Sequence, residues 1–108
     1  MNRTGAPLGP LRAVVFDVGE VLIDETRQYG EWADWLGIPR HTFSAVFGAV
    51  VARGENHQQT FQHFRPGLDL ALERRRREEA RRPEAFGPED LYPDARACLA
   101  ELQARGFI

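Results

Sequence analysis

The stretch Leu11–Asp24, LRAVVFDVGEVLID, decides how the rest of the chain is read. Its first half is an apolar run rich in β-branched residues, Val14-Val15-Phe16, which stops at Asp17, with Gly19 two residues later. A short buried parallel strand has this pattern when it delivers a carboxylate to the carboxyl edge of a sheet. That edge is where open α/β sheets bind ligands. A strand is therefore predicted over residues 12–16, with Asp17 at its end as the candidate catalytic group. Residues 17–26 read as a turn-rich connection in which Gly19 suits a positive φ. Glu20, Asp24 and Glu25 read as acidic loop residues.

Beyond this connection the apolar period changes from two to that of a helix. Tyr29, Trp32, Ala33 and Leu36 fall on one helical face, and Phe43, Val46, Phe47 and Val50 repeat the spacing. Gly37 and Gly54 are stops, and Pro39 is a restart. Asn56 with Gln59 resembles a capping box for a third helix carrying Phe61 and Phe64. Pro66-Gly67 breaks that helix, and Asp69 caps a fourth. Helices are predicted over 28–36, 40–52, 57–64, 70–82 and 95–105. Trp32, Trp35, Phe43, Phe47, Phe61 and Phe64 are the expected core. The run Arg74–Arg77 reads as a solvated face, with Glu73–Arg77, Arg74–Glu78 and Arg75–Glu79 as i,i+4 pairs. Residues 83–93, with Pro83, Gly87, Pro88 and Pro93, read as a linker. Asp94 caps the last helix, whose apolar face is Ala95, Cys98, Leu99 and Leu102, with Cys98 expected to be buried and inert. Gly106 is its C′ residue, and Phe107-Ile108 reads as the start of another strand.

Composition narrows the function. A chain of 108 residues suits one small domain, and a net charge of −2 gives no bulk attraction to nucleic acid or an anionic membrane. The single cysteine excludes an intrachain disulfide and fits a reducing, cytoplasmic setting. The longest apolar stretch, Ala45–Ala52, is far short of a membrane span. No signal peptide is recognisable, and residues 1–10 read as a flexible lead-in. His41, His57 and His63 have no ligand partners at metal spacing.

In order and motif, the chain resembles the haloacid dehalogenase (HAD) superfamily of aspartate-nucleophile hydrolases. Asp17-Val18-Gly19-Glu20-Val21-Leu22 is similar to that family's first motif, an apolar strand followed by Asp-x-Asp-Gly-(Thr/Val)-Leu. Leu91-Tyr92-Pro93-Asp94 is similar to the segment that returns from an inserted helical cap. The resemblance implies an α/β fold: a HAD-like Rossmannoid core, represented here by its first strand and return helix, plus an inserted all-α cap, so that the chain is mostly helical. Its parts would be the core strand and motif loop at 11–26, the cap at 27–82, and the linker and return helix at 83–108. It implies Mg²⁺-dependent hydrolysis of a small phosphorylated substrate through an aspartyl-phosphate on Asp17. Asp17 and the carbonyl of Gly19 would then bind the metal.

Two departures qualify the resemblance. Gly19 stands where the family has its second aspartate, which removes a proton donor for the leaving group, an effect worth about 10²–10⁴-fold. The family's later Ser/Thr, Lys and acidic motifs have no counterpart in these residues. The chain therefore reads as an N-terminal part, weakly active or inactive alone, with an incomplete sheet edge open to self-association. Two alternatives stand beside the phosphatase reading. One is metal-free dehalogenation by the same nucleophile, and the other is a non-catalytic helical interaction module.

Overall fold

In the computed structural model residues 9–108 are described, so the lead-in expected at 1–10 lies outside them except for Gly9 and Pro10. The described residues are mostly helical: α1 (Thr26–Leu36), α2 (Arg40–Ala52), α3 (Gln59–Phe64), α4 (Leu70–Glu79) and α5 (Ala95–Ala104). They fall into two compact units, residues 25–90 and the pair of segments 9–24 and 91–108. No helix among the described residues is long and apolar enough to cross a membrane.

The helical unit forms where the sequence places apolar residues on one face. Trp32, Ala33 and Leu36 of α1, Phe43 of α2 and Phe61 of α3 make its buried core, flanked by Tyr29, Trp35, Phe64, Leu68 and Leu70. The aromatic rings meet edge to face, Trp32 on Phe61 at 5.0 Å and Phe43 on Phe61 at 5.7 Å. Such pairs add about 0.5–1.5 kcal/mol each beyond burial. Helix ends follow local chemistry. Asp69 accepts a hydrogen bond from the Leu72 N–H at 3.2 Å and caps α4. Asn56 accepts from the Gln58 N–H at 2.9 Å, which makes a local turn ahead of α3 in place of the expected box with Gln59.

The sequence boundary of this unit at residue 82 moves to Asp90, because polar groups tie 83–90 to α1. Arg27 donates a forked pair to Asp90, Nε at 2.9 Å and Nη2 at 2.6 Å. The Ala85 carbonyl accepts from Gln28 at 2.7 Å and from Arg27 at 2.8 Å. The Glu84 carboxylate accepts from the Trp32 indole N–H.

Several expectations are corrected. No strand forms over 12–16, because a strand needs a continuous ladder with a neighbour and this segment is paired only through the single residue Ile108 among the described residues. The fourth helix ends at Glu79 rather than 82. The three i,i+4 pairs expected along it are not made. Arg77 is instead turned inward and is 2% exposed, Arg74 pairs with Glu84 at 3.2 Å, and Arg76 pairs with Glu73 at 2.7 Å. Cys98 is exposed rather than buried, although Ala95 on the same face is buried.

Two tests follow from this packing. Phe43 is fully buried, so Phe43→Ala should lower unfolding free energy in urea by about 3–5 kcal/mol. Val51→Ala, at a half-exposed site on the same helix, should stay within about 0.5 kcal/mol. The hydrogen bonds from Arg27, then that from the Gly87 N–H, hold the Asp90 carboxyl below its ordinary value. Its unfolded-state pKa is higher, so its contribution is complete above the ordinary carboxylate range and is lost as pH falls through the depressed value. Asp90→Asn should flatten the acid limb of a stability-against-pH curve; an unchanged limb would show that this pair does not contribute.

Candidate active site

The unit that carries Asp17 is built from three pieces of chain: the residues before it, the turn after it, and the return segment with α5. Before Asp17, successive side chains alternate, with Val14 and Phe16 half-buried and Val15 94% exposed. Val14 and Phe16 line a groove with Leu99 and Leu102 of α5 and with Phe107 and Ile108. The backbone here meets the end of the chain. The Ile108 N–H donates to the Arg12 carbonyl at 2.9 Å, and the Val14 N–H donates to the Ile108 carbonyl at 3.4 Å. A residue that bonds in this way to the neighbours on either side of its opposite number makes the hydrogen-bond pattern of a parallel pair. It is one bonded step, too short to be a strand.

Asp17 follows this segment and is exposed. Its Oδ1 accepts from the Val18 N–H at 2.8 Å, which fixes the carboxylate against its own backbone. The chain then closes a tight turn around one carbonyl. Val18 O accepts from the N–H groups of Val21, Leu22 and Ile23 at 3.3, 3.0 and 3.0 Å, and Glu20 N–H donates back to Ile23 O at 2.7 Å. The left-handed residue of the turn is Glu20, φ 58°, rather than Gly19.

The return segment locks this turn from the other side. Ile23 bridges antiparallel to Leu91, and the Tyr92 N–H donates to Leu22 O at 3.0 Å. The Tyr92 hydroxyl donates to Glu20 Oε2 at 2.9 Å. The sequence motif Leu91-Tyr92-Pro93 is thus held directly against the motif turn. The Tyr92–Glu20 bond joins side chains 72 positions apart, and local periodicity carries no signal for it.

Asp17 and Gly19, the two expected metal contacts, therefore lie in one ordered turn. The Gly19 carbonyl accepts no hydrogen bond from the described residues. A carboxylate and an uncommitted carbonyl are the hard oxygen donors that Mg²⁺ takes, and Mg²⁺ commonly binds one or two protein carboxylates and keeps several waters. The pair fits part of such a shell. No group of three or more His, Cys, Asp or Glu side chains suited to a metal occurs among the described residues. Of the other acidic residues, Glu25 accepts from the Tyr29 hydroxyl at 3.2 Å in the helical unit. The histidines are apart in role: His57 packs on Phe47, and His63 contacts Arg53. No protein family, curated protein or solved structure matches the chain.

Proposed function

We propose that this chain carries the nucleophile of a HAD-like hydrolase and that Asp17 cleaves phosphate esters through an aspartyl-phosphate. The observation that supports the reading most is the turn after Asp17, closed on the Val18 carbonyl and clamped by the Leu91-Tyr92 return segment. In this reading the segment before Asp17 belongs to an α/β core, and the helical unit is its inserted cap.

The chemistry assigned to the residues is simple. An Asp17 oxygen attacks phosphorus, the new O–P bond forms as the ester P–O bond breaks, and the alcohol leaves with a proton taken from water. Water then cleaves the acyl-phosphate, releasing phosphate and restoring the carboxylate. An Asp17 oxygen and the Gly19 carbonyl would hold Mg²⁺. When bound, it offsets the repulsion between carboxylate and phosphate. Among these 108 residues, none of which is lysine, arginine or a bound metal ion would supply counter-charge to the phosphate. Gly19 has no side chain and donates no proton, so good leaving groups are favoured.

Two outcomes check this. With Mg²⁺ and an aryl phosphate, turnover is slow and Asp17→Asn lowers it at least 10²-fold, because an amide is a poor nucleophile. Equal, non-zero activity in the two proteins would contradict the assignment. Gly19→Asp should raise turnover of alkyl phosphates, where protonation of the leaving group matters most, by about 10²-fold or more. Turnover that ignores Mg²⁺ and releases halide from a haloacid would favour dehalogenation. A second reading, an interaction module that self-associates, is favoured by the exposure of Val15 at 94% and Ile108 at 91%. Concentration-dependent sedimentation with no Asp17-dependent turnover would select it.

A further inference from the structure

Among the described residues, four helices end in the same hydrogen-bonded motif, and one of them breaks its usual residue rule. In each, the left-handed residue donates to the carbonyl three back and the next residue donates to the carbonyl five back. After α1, Gly37 bonds Asp34 and Ile38 bonds Ala33; after α2, Gly54 bonds Val51 and Glu55 bonds Val50; after α5, Gly106 bonds Gln103 and Phe107 bonds Leu102. After α4 the same pair is Arg81 to Glu78 and Arg82 to Arg77. The left-handed position is thus glycine three times, at φ 72°, 73° and 84°, and arginine once, at φ 58°. A side chain at this φ is disfavoured, so local backbone chemistry does not account for Arg81.

Arg81 lines a pocket of about 570 Å³ within the helical unit. Arg27, Arg40, Arg77 and Arg82 line it too. Some of this charge is committed: Arg27 to Asp90 and Glu31, and Arg40 to Asp34 at 2.7 Å. Arg81 and Arg82 form no ion pair among the described residues; the Arg82 guanidinium lies over the Trp35 ring at 5.4 Å. Arg77 is 2% exposed. It donates from Nε to the Arg82 carbonyl at 2.8 Å, stands 3.5 Å from Glu31 and stacks on Trp32 at 4.4 Å. Its Nη1 is buried with no hydrogen-bond partner. A buried guanidinium nitrogen without an acceptor is costly.

We propose that this pocket binds a small phosphate monoester, with Arg81 and Arg82 as its principal contacts and Arg77 as the buried charge beneath. The pocket has five guanidinium groups to three carboxylates, and a phosphate monoester near neutrality carries about −1.5 to −2. Guanidinium forks match phosphate oxygens in pairs. The volume is that of a small-molecule site. The inference stands apart from the role given to Asp17.

The alternative is structural, with Arg81 and Arg82 complementing the carbonyl end of α4. Titration calorimetry of the whole chain with glycerol 3-phosphate, in EDTA and in the Asp17→Asn background, separates the two. Saturable binding is expected, accompanied by a change in Trp fluorescence. Arg81→Gly keeps the left-handed turn, so it should melt at the same temperature or higher while binding falls tenfold or more. Arg82→Ala should also weaken binding tenfold. Inorganic phosphate should bind and succinate should bind at least tenfold more weakly. The proposal is overturned by absence of binding, by wild-type affinity in Arg81→Gly, or by succinate binding as tightly as the phosphates.

Discussion

The chain leaves its motif turn at Ile23 and comes back beside it at Leu91, and the architecture depends on that meeting. Closing a loop of this length in a disordered chain costs on the order of 4 kcal/mol of entropy by the logarithmic law. The bridge, whose bonds include that from Tyr92 to Leu22, and the Tyr92–Glu20 bond do not offset that comfortably at about 1 kcal/mol per hydrogen bond. The helical unit supplies the remainder by folding on itself. Its first helix and its last residues are fastened together by the forked Arg27–Asp90 pair and by the bonds from Gln28 and Arg27 to Ala85. Once that unit is folded, its two ends are neighbours, and the return to the turn costs little more.

The same unit shows how a buried cation can be accommodated in a small core. Arg77 lies against Trp32, and Trp32 packs on Phe61 and gives its indole N–H to Glu84. Burial pushes the Arg77 guanidinium down from its ordinary value, while Glu31 and Glu84 act in the opposite direction. The aromatic core and the charged pocket therefore share a wall. A change at Trp32 would disturb both.

Much of this was legible in the sequence. The helical period over Tyr29–Leu36 and Phe43–Val50 depends only on which residues face inward, and α1 and α2 lie where it places them. The glycine stops at Gly37, Gly54 and Gly106 were readable because a positive φ is a local demand. Features set by distant partners were not readable. The i,i+4 rule makes Arg77 a surface residue, but Trp32, far away in sequence, draws it inward. The apolar run before Asp17 has the composition of a strand, but a strand exists only with its neighbours, and among the described residues Ile108 alone bonds to it. Cys98 has the spacing of a buried residue but is exposed, because spacing names a face without saying how far along it the cover reaches. At the candidate site, the motif itself points to Asp17 and Gly19, whereas the Tyr92–Glu20 clasp on their turn joins residues 72 positions apart and leaves no local signal.

As the proposed nucleophile, Asp17 would form a covalent bond to phosphorus. Borohydride reduces an acyl-phosphate of aspartate to homoserine and leaves a free carboxylate untouched. The chain would be incubated with Mg²⁺ and an aryl phosphate, quenched with borohydride, digested and sequenced by mass spectrometry. Homoserine at position 17, appearing only when the phosphate ester is present, is the result this account predicts. Aspartate unchanged at position 17 while ester is consumed, or homoserine at any other aspartate, would contradict it.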